Sequence, residues 1–266
     1  MKLRDQNLSD IAGEAVLIAA GGRSILLQIA NPAIGHGVAH HSDFVAHPLN
    51  RLNGTLSYVY AVVFGTPEEA AGATRRVNLA HGPVNAPAAP GRPAYSAFTP
   101  ELQLWVAATL YDSAIRMREL VFGPLDEATA DAVYQEYAVL GTSLQMPAAL
   151  WPRDRAAFAR YWSEQVAGLQ TDATTRAVAR QLLHPRTGPL WLRVLMPAGR
   201  FVTVGLLPAS VRGLFDLSWS PRSQRRFDRL LRFTAVVYPR LPRRLRYWPK
   251  NHYLRAVRAS LELAVV

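Results

Sequence analysis

Three times in this chain a hydroxyl residue followed directly by proline opens a stretch of helical periodicity: Thr66-Pro67, Thr99-Pro100 and Ser220-Pro221. The side-chain oxygen accepts from N–H groups that the first helical turn leaves unpaired, and proline at the first position gives up an N–H that had no partner there. Glu69 completes a capping box with Thr66. Apolar residues after these signals recur at three and four, as in Leu104, Ala107, Ala108, Tyr111, Ala114 and Ile115. Alternating patterns are scarce. Phe201-Val-Thr-Val204 is the one β-rich tetrapeptide, and it lies within a longer apolar run. The chain therefore reads as a single all-α domain over residues 1–266, with eight to ten helices around one core.

The breakers place the elements. Ser9 caps a long helix toward Ala30, ended by Asn31-Pro32. Further helices are expected over 49–64, 66–81, 99–123, 126–140, 152–169, 172–183, 220–237 and 250–263. Residues 82–98, rich in Pro, Ala and Gly, read as an irregular loop. Two apolar runs, Ala15–Ala30 and Leu190–Val211, read as buried helices, with a membrane contact as the alternative for the second. Gly21-Gly22-Arg23 breaks the first, and Arg193 and Arg200 interrupt the second, so neither suits a bilayer span. With no apolar leader at the N-terminus, a cytoplasmic location is expected.

The chain has no cysteine, which excludes thiolate haem ligation, zinc ribbons, iron–sulfur clusters and cysteine nucleophiles. Its net charge of +11 resides in one segment. Residues 212–258 hold thirteen Lys or Arg against two Asp, and the remainder is balanced at seventeen of each sign. A solvated basic face is the plain reading of this segment. A peripheral contact with nucleic acid, anionic lipid or an anionic partner is the other. No helix-turn-helix partner and no row of stacking aromatics accompany it, so specific nucleic-acid recognition is not expected.

His81 is the residue most suggestive of chemistry. It closes the run that Thr66 opens and shares that run's apolar side with Ala70, Ala73, Thr74 and Val77. Its neighbours are small, which leaves room for a flat cofactor. On the preceding run, Arg51, Gly54 and Thr55 fall within one turn. One imidazole facing a core, with a compact polar trio on a neighbouring helix, is what an axial haem site requires. Arg51 would then stabilise negative charge developing on a reacting oxygen, and Thr55 would hydrogen-bond it. The second imidazole nitrogen is expected to donate to a carbonyl or carboxylate. A lone histidine on an apolar face is more often a satisfied core histidine, and Arg51 with Thr55 more often a surface pair. The residues alone leave both alternatives open.

A second histidine cluster spans His36, His40, His41 and His47, with Asp43 among them. His36 and His40 have a spacing that chelates metal on a helix. Gly35, Gly37 and Pro48 argue instead for a loop. Gly-x-Ser-x-Gly and the dinucleotide fingerprint are both absent.

At these residues the chain resembles the haem proteins related to latex-clearing protein (rubber oxygenase) and the mycophenolic-acid-pathway oxygenase. The matching pieces are Gly22–Ala33, His41–Phe44, Arg51–Leu56, Ala73–His81 with Val84, Leu104–Ser113, and Gly205–Pro208 leading into Leu217–Pro221. The resemblance implies an all-α fold around a haem b pocket, with His81 as the iron ligand and Arg51 and Thr55 on the opposite side. Gly54, His41 and Ala107 stand at further cofactor-facing positions. It also implies an oxidoreductase that uses molecular oxygen on a small apolar substrate. The chain departs from the pattern at Gly54, where rubber-cleaving members carry Lys, and at Ala107 and Asn31, where many relatives carry His. These departures favour a rival reading: a haem-binding or haem-free binding protein without turnover, with a basic surface for anionic lipid or a partner.

Overall fold

The structure is a computed structural model that describes residues 7–41, 49–185 and 187–262. It is all-α. The helices are α1 (Leu8–Ala12), α2 (Gly21–Ile29), α3 (Pro32–His41), α4 (Asn50–Phe64), α5 (Pro67–His81), α6 (Pro100–Phe122), α7 (Glu127–Tyr137) and α8 (Val139–Thr142). They continue with α9 (Arg155–Ala167), α10 (Ala173–Leu183), α11 (Leu190–Leu206), α12 (Ala209–Leu214), α13 (Pro221–Val237), α14 (Arg243–Arg246) and α15 (Trp248–Glu262). They outnumber the expected eight to ten largely because of short pieces such as α1, α8, α12 and α14.

The start signals behave as the sequence suggests. Thr66 and Glu69 form the reciprocal capping box of α5, and Ser220 caps α13. Asp126, Asp154 and Asp172 each accept from the first turn of the helix that follows.

Four expectations fail. The helix expected over 9–30 is broken into α1, a 3-10 turn at Ala15–Ala20, and α2. Gly13 ends α1 where the Tyr247 ring leaves no room for a side chain, since a Cβ there would sit 2.4 Å from Tyr247 Cε1. Just beyond, buried Glu14 pairs with buried Arg246 at 2.9 Å.

Second, residues 32–41 form a helix and not a loop. The Asn31 side chain accepts from the Ala33 amide at 3.0 Å and starts it. Gly35 serves packing there: a Cβ would meet Thr175 Cγ2 at 2.4 Å and the Ile29 carbonyl at 2.6 Å.

Third, the loop at 82–98 contains a short antiparallel ladder, with Asn85 opposite Ser96 and Ala86 opposite Tyr95. Fourth, α11 is not buried along its length. Only Thr203–Leu206 are enclosed.

The core lies between α2, α4, α6, α7 and α9. Trp105 and Tyr134 are fully enclosed, and Tyr111 meets Tyr134, Tyr137 and Phe158 edge to face at 4.9–5.2 Å. Such contacts add about 0.5–1.5 kcal/mol each beyond area burial.

One arrangement decides where the site lies. Gly65 and Thr66 alone join α4 to α5, so the two helices fold back on each other as a hairpin and pack along their length. The start of α4 therefore stands beside the end of α5. On the outer side α15 clamps the hairpin. Arg258 Nε donates to Glu69 Oε1 at 2.7 Å, Tyr253 donates to Asn53 Oδ1 at 2.7 Å, and Leu261 fills the space beside Gly72.

Candidate functional site

The hairpin brings Arg51 and His81 together, although 30 positions separate them in the chain. Arg51 stands in the first turn of α4 and His81 in the last turn of α5. The positive charge of Arg51 lies close enough to the imidazole to disfavour its protonated form. Burial, and after it Arg51, holds His81 below its usual pKa. The ring is therefore neutral at neutral pH, the form that binds a metal.

Nδ1 is buried and has no hydrogen-bond partner among the described residues. This corrects the expectation that the second nitrogen donates to a carbonyl or carboxylate. The Phe98 ring stands edge-on to the imidazole at 6.3 Å.

Arg51 is held from behind by a polar relay in the core. Its Nη2 donates to Gln28 Oε1 at 3.2 Å. The Gln28 amide nitrogen donates to Ser24 Oγ at 3.1 Å and Thr109 Oγ1 at 3.0 Å, and Thr109 donates to the Val106 carbonyl at 2.8 Å. Both hydroxyls need the amide nitrogen, so the oxygen must face Arg51. The relay fixes one guanidinium edge but supplies no negative charge. Among the described residues no carboxylate pairs with Arg51, and burial pushes its pKa down to about 10. A half-buried cation with no carboxylate beside it among the described residues suits a site that receives an electron-rich group.

The other candidates lie as follows. Thr55 is half-buried one turn above Arg51 and makes no hydrogen bond among the described residues. Gly54 is exposed, and a Cβ there would meet nothing within 4 Å. Ala107 is 3% exposed in the core of α6, and a Cβ on Gly141 would lie 3.5 Å from its own. His41 ends α3 and its Nε2 is 3.1 Å from the Tyr95 hydroxyl. His36 is not free to chelate with His40. Its Nε2 pairs with Asp172 at 2.6 Å, while His40 Nδ1 bonds the His36 carbonyl at 2.7 Å. Asp43 lies outside the described residues.

Sequence reasoning missed Gln28, Ser24 and Thr109 as site residues. The available signal was a Ser and a Gln four apart inside the apolar run Ser24-Ile-Leu-Leu-Gln-Ile29. It also missed Asn78 and Gln103. Each leaves a buried oxygen without a partner. Asn78 is one turn before His81, and Gln103 is tied to the Ala97 carbonyl next to Phe98.

Among the described residues no three His, Cys, Asp or Glu converge to hold a bare ion. A metal bound here would have to bring most of its ligands with it, as a porphyrin does. A neutral imidazole in the last turn of α5 and a half-buried cation with no carboxylate partner among the described residues fit that group.

The class of protein defined here is an all-α scaffold that brings one histidine and one half-buried arginine together at the end of a hairpin. The family described as ER-bound oxygenase mpaB/B'/Rubber oxygenase, catalytic domain, matches residues 10–236, and the chain belongs to it. Uncharacterized protein Mb2261 of Mycobacterium bovis and uncharacterized protein Rv2237 of Mycobacterium tuberculosis are each 38% identical to it over 226 residues. Each match covers 83% of this chain and 88% of the relative. No solved structure matches.

Proposed function

We propose that the protein is a haem b-dependent oxygenase acting on a small apolar molecule. The observation that supports this reading is the meeting of a neutral His81 with a half-buried Arg51, paired with no carboxylate among the described residues, at one end of a hairpin. His81 would hold a haem, which would supply the capacity to bind and reduce dioxygen. The protein's own residues do the rest. Arg51, oriented by Gln28, offers a fixed positive charge where negative charge develops, and Thr55 offers a hydroxyl beside it. The exposed Phe98 ring, edge-on to His81, puts apolar surface beside the imidazole, which favours an apolar substrate.

A second reading is a haem carrier without turnover. The unpartnered Nδ1 of His81 favours it, because no acceptor raises the basicity of the ring.

An absorbance spectrum and iron assay of protein expressed with a haem precursor test the first reading. One haem per chain with a Soret band, and oxygen consumption stimulated by an alkene, are expected. Stoichiometric haem with no oxygen consumption across apolar substrates supports the carrier. Protein that folds and takes up no haem contradicts both.

A further inference from the structure

Two helices that supply no residue to this site leave apolar surface uncovered. The first half of α11 projects from the body. Leu190, Trp191, Val194 and Leu195 are 72%, 54%, 67% and 59% exposed. The second half docks on α13: the Phe227 ring occupies the space a Cβ on Gly205 would need, at 2.5 Å, and Phe201 stands edge-on to it at 6.2 Å.

That contact fixes how α13 is turned. Phe227 is its buried residue, with Leu231 and Thr234 half-buried on the same side. Helical spacing then places Arg222, Arg226 and Arg229 on the outward stripe of its first turns, and Phe233 and Val237 on the same stripe further on. Phe233 is 64% exposed and neighbouring Val236 55%. Arg222, Arg225, Arg226 and Arg229 pair with no carboxylate among the described residues, whereas Arg243, Arg246 and Arg258 do.

We propose that the open half of α11 and the outward stripe of α13 form a docking surface for an anionic lipid bilayer, entered only to interfacial depth. An interface of this kind takes apolar side chains into the acyl boundary, seats a tryptophan such as Trp191 at headgroup level, and meets phosphates with arginine. Among the described residues no single helix is long and apolar enough to cross a membrane, which suits a helix lying on one. Nucleic acid would satisfy the arginines and leave Val194, Leu195 and Phe233 in water. A second copy would bring two segments of net charge +11 face to face.

The test is co-sedimentation of the full chain with phosphatidylcholine vesicles, with and without phosphatidylglycerol. Retention is expected only on the anionic vesicles and weakens with added salt. Replacing Arg222, Arg225, Arg226 and Arg229 by Gln should lower the partition coefficient about fivefold per charge. Leu195→Asp with Phe233→Asp should abolish retention at any salt. All six side chains are exposed, and circular dichroism checks that the variants fold. If a variant misfolds, the lipid and salt dependence of the unaltered chain decides alone. Equal retention on neutral vesicles, no retention on either, duplex DNA binding in place of vesicle binding, or a dimer that Leu195→Asp dissociates would each overturn the proposal.

Discussion

Replacing Arg51 by methionine should leave the stability of the haem-free protein almost unchanged. The guanidinium is half-buried beside His81 with no carboxylate partner among the described residues, and desolvation lowers its pKa to about 10, a cost to the charged form of at most roughly 3 kcal/mol before solvent screening. Against that stands one charged hydrogen bond, to Gln28 at 3.2 Å, worth about 1.5–3 kcal/mol, and its loss leaves the buried Gln28 Oε1 without a donor. Methionine keeps most of the stem's packing. The opposing contributions cancel to within about 1 kcal/mol, read as a nearly unchanged urea midpoint at unchanged slope. The haem-loaded protein should respond strongly, with oxygen consumption falling about a hundredfold, the usual scale for loss of one preorganised charge donor. A haem-free Arg51→Met protein destabilised by more than about 2 kcal/mol would refute the reasoning, because that loss is the mark of a broken buried ion pair.

Other consequences follow from the same geometry. His81 has a lowered pKa in the folded chain, so unfolding takes up protons below the ordinary histidine value near 6.5. Stability should therefore fall as pH drops below about 6.5, and His81→Leu should flatten that part of the curve, measured as the difference between the two melting profiles. Gly54→Ala adds a methyl that meets nothing within 4 Å in an exposed helix interior. It should raise the stability of the haem-free protein by about 1 kcal/mol. Gly35→Ala forces a methyl into Thr175 and the Ile29 carbonyl. It should cost about 1–3 kcal/mol by chemical denaturation.

What could be read from the sequence was local. The capping box of α5 depends on Thr66, Pro67 and Glu69, which are neighbours in the chain, and the helix they open runs to His81 as expected. The meeting of Arg51 with His81 depends on a two-residue link folding α4 back on α5, and spacing along either helix carries no record of that. The Gln28 relay draws on α2, α4 and α6 at once. Only the oddity of a glutamine in an apolar run hinted at it. The glycines of α3 looked like loop formers because glycine weakens an isolated helix. Gly35 is there for the close approach of Thr175, a tertiary demand that propensity does not register. The α11 error has a similar origin: an apolar run looks the same whether a core or some other surface covers it.

The central claim is that the imidazole at position 81 carries the iron of a porphyrin. The most direct measurement is the haem spectrum of His81→Gly with and without added imidazole. The glycine variant should lose the axial-histidine Soret signature, and free imidazole entering the vacated space should restore it. A variant that keeps stoichiometric haem with an unaltered spectrum, imidazole or not, would place the ligand elsewhere and contradict the account.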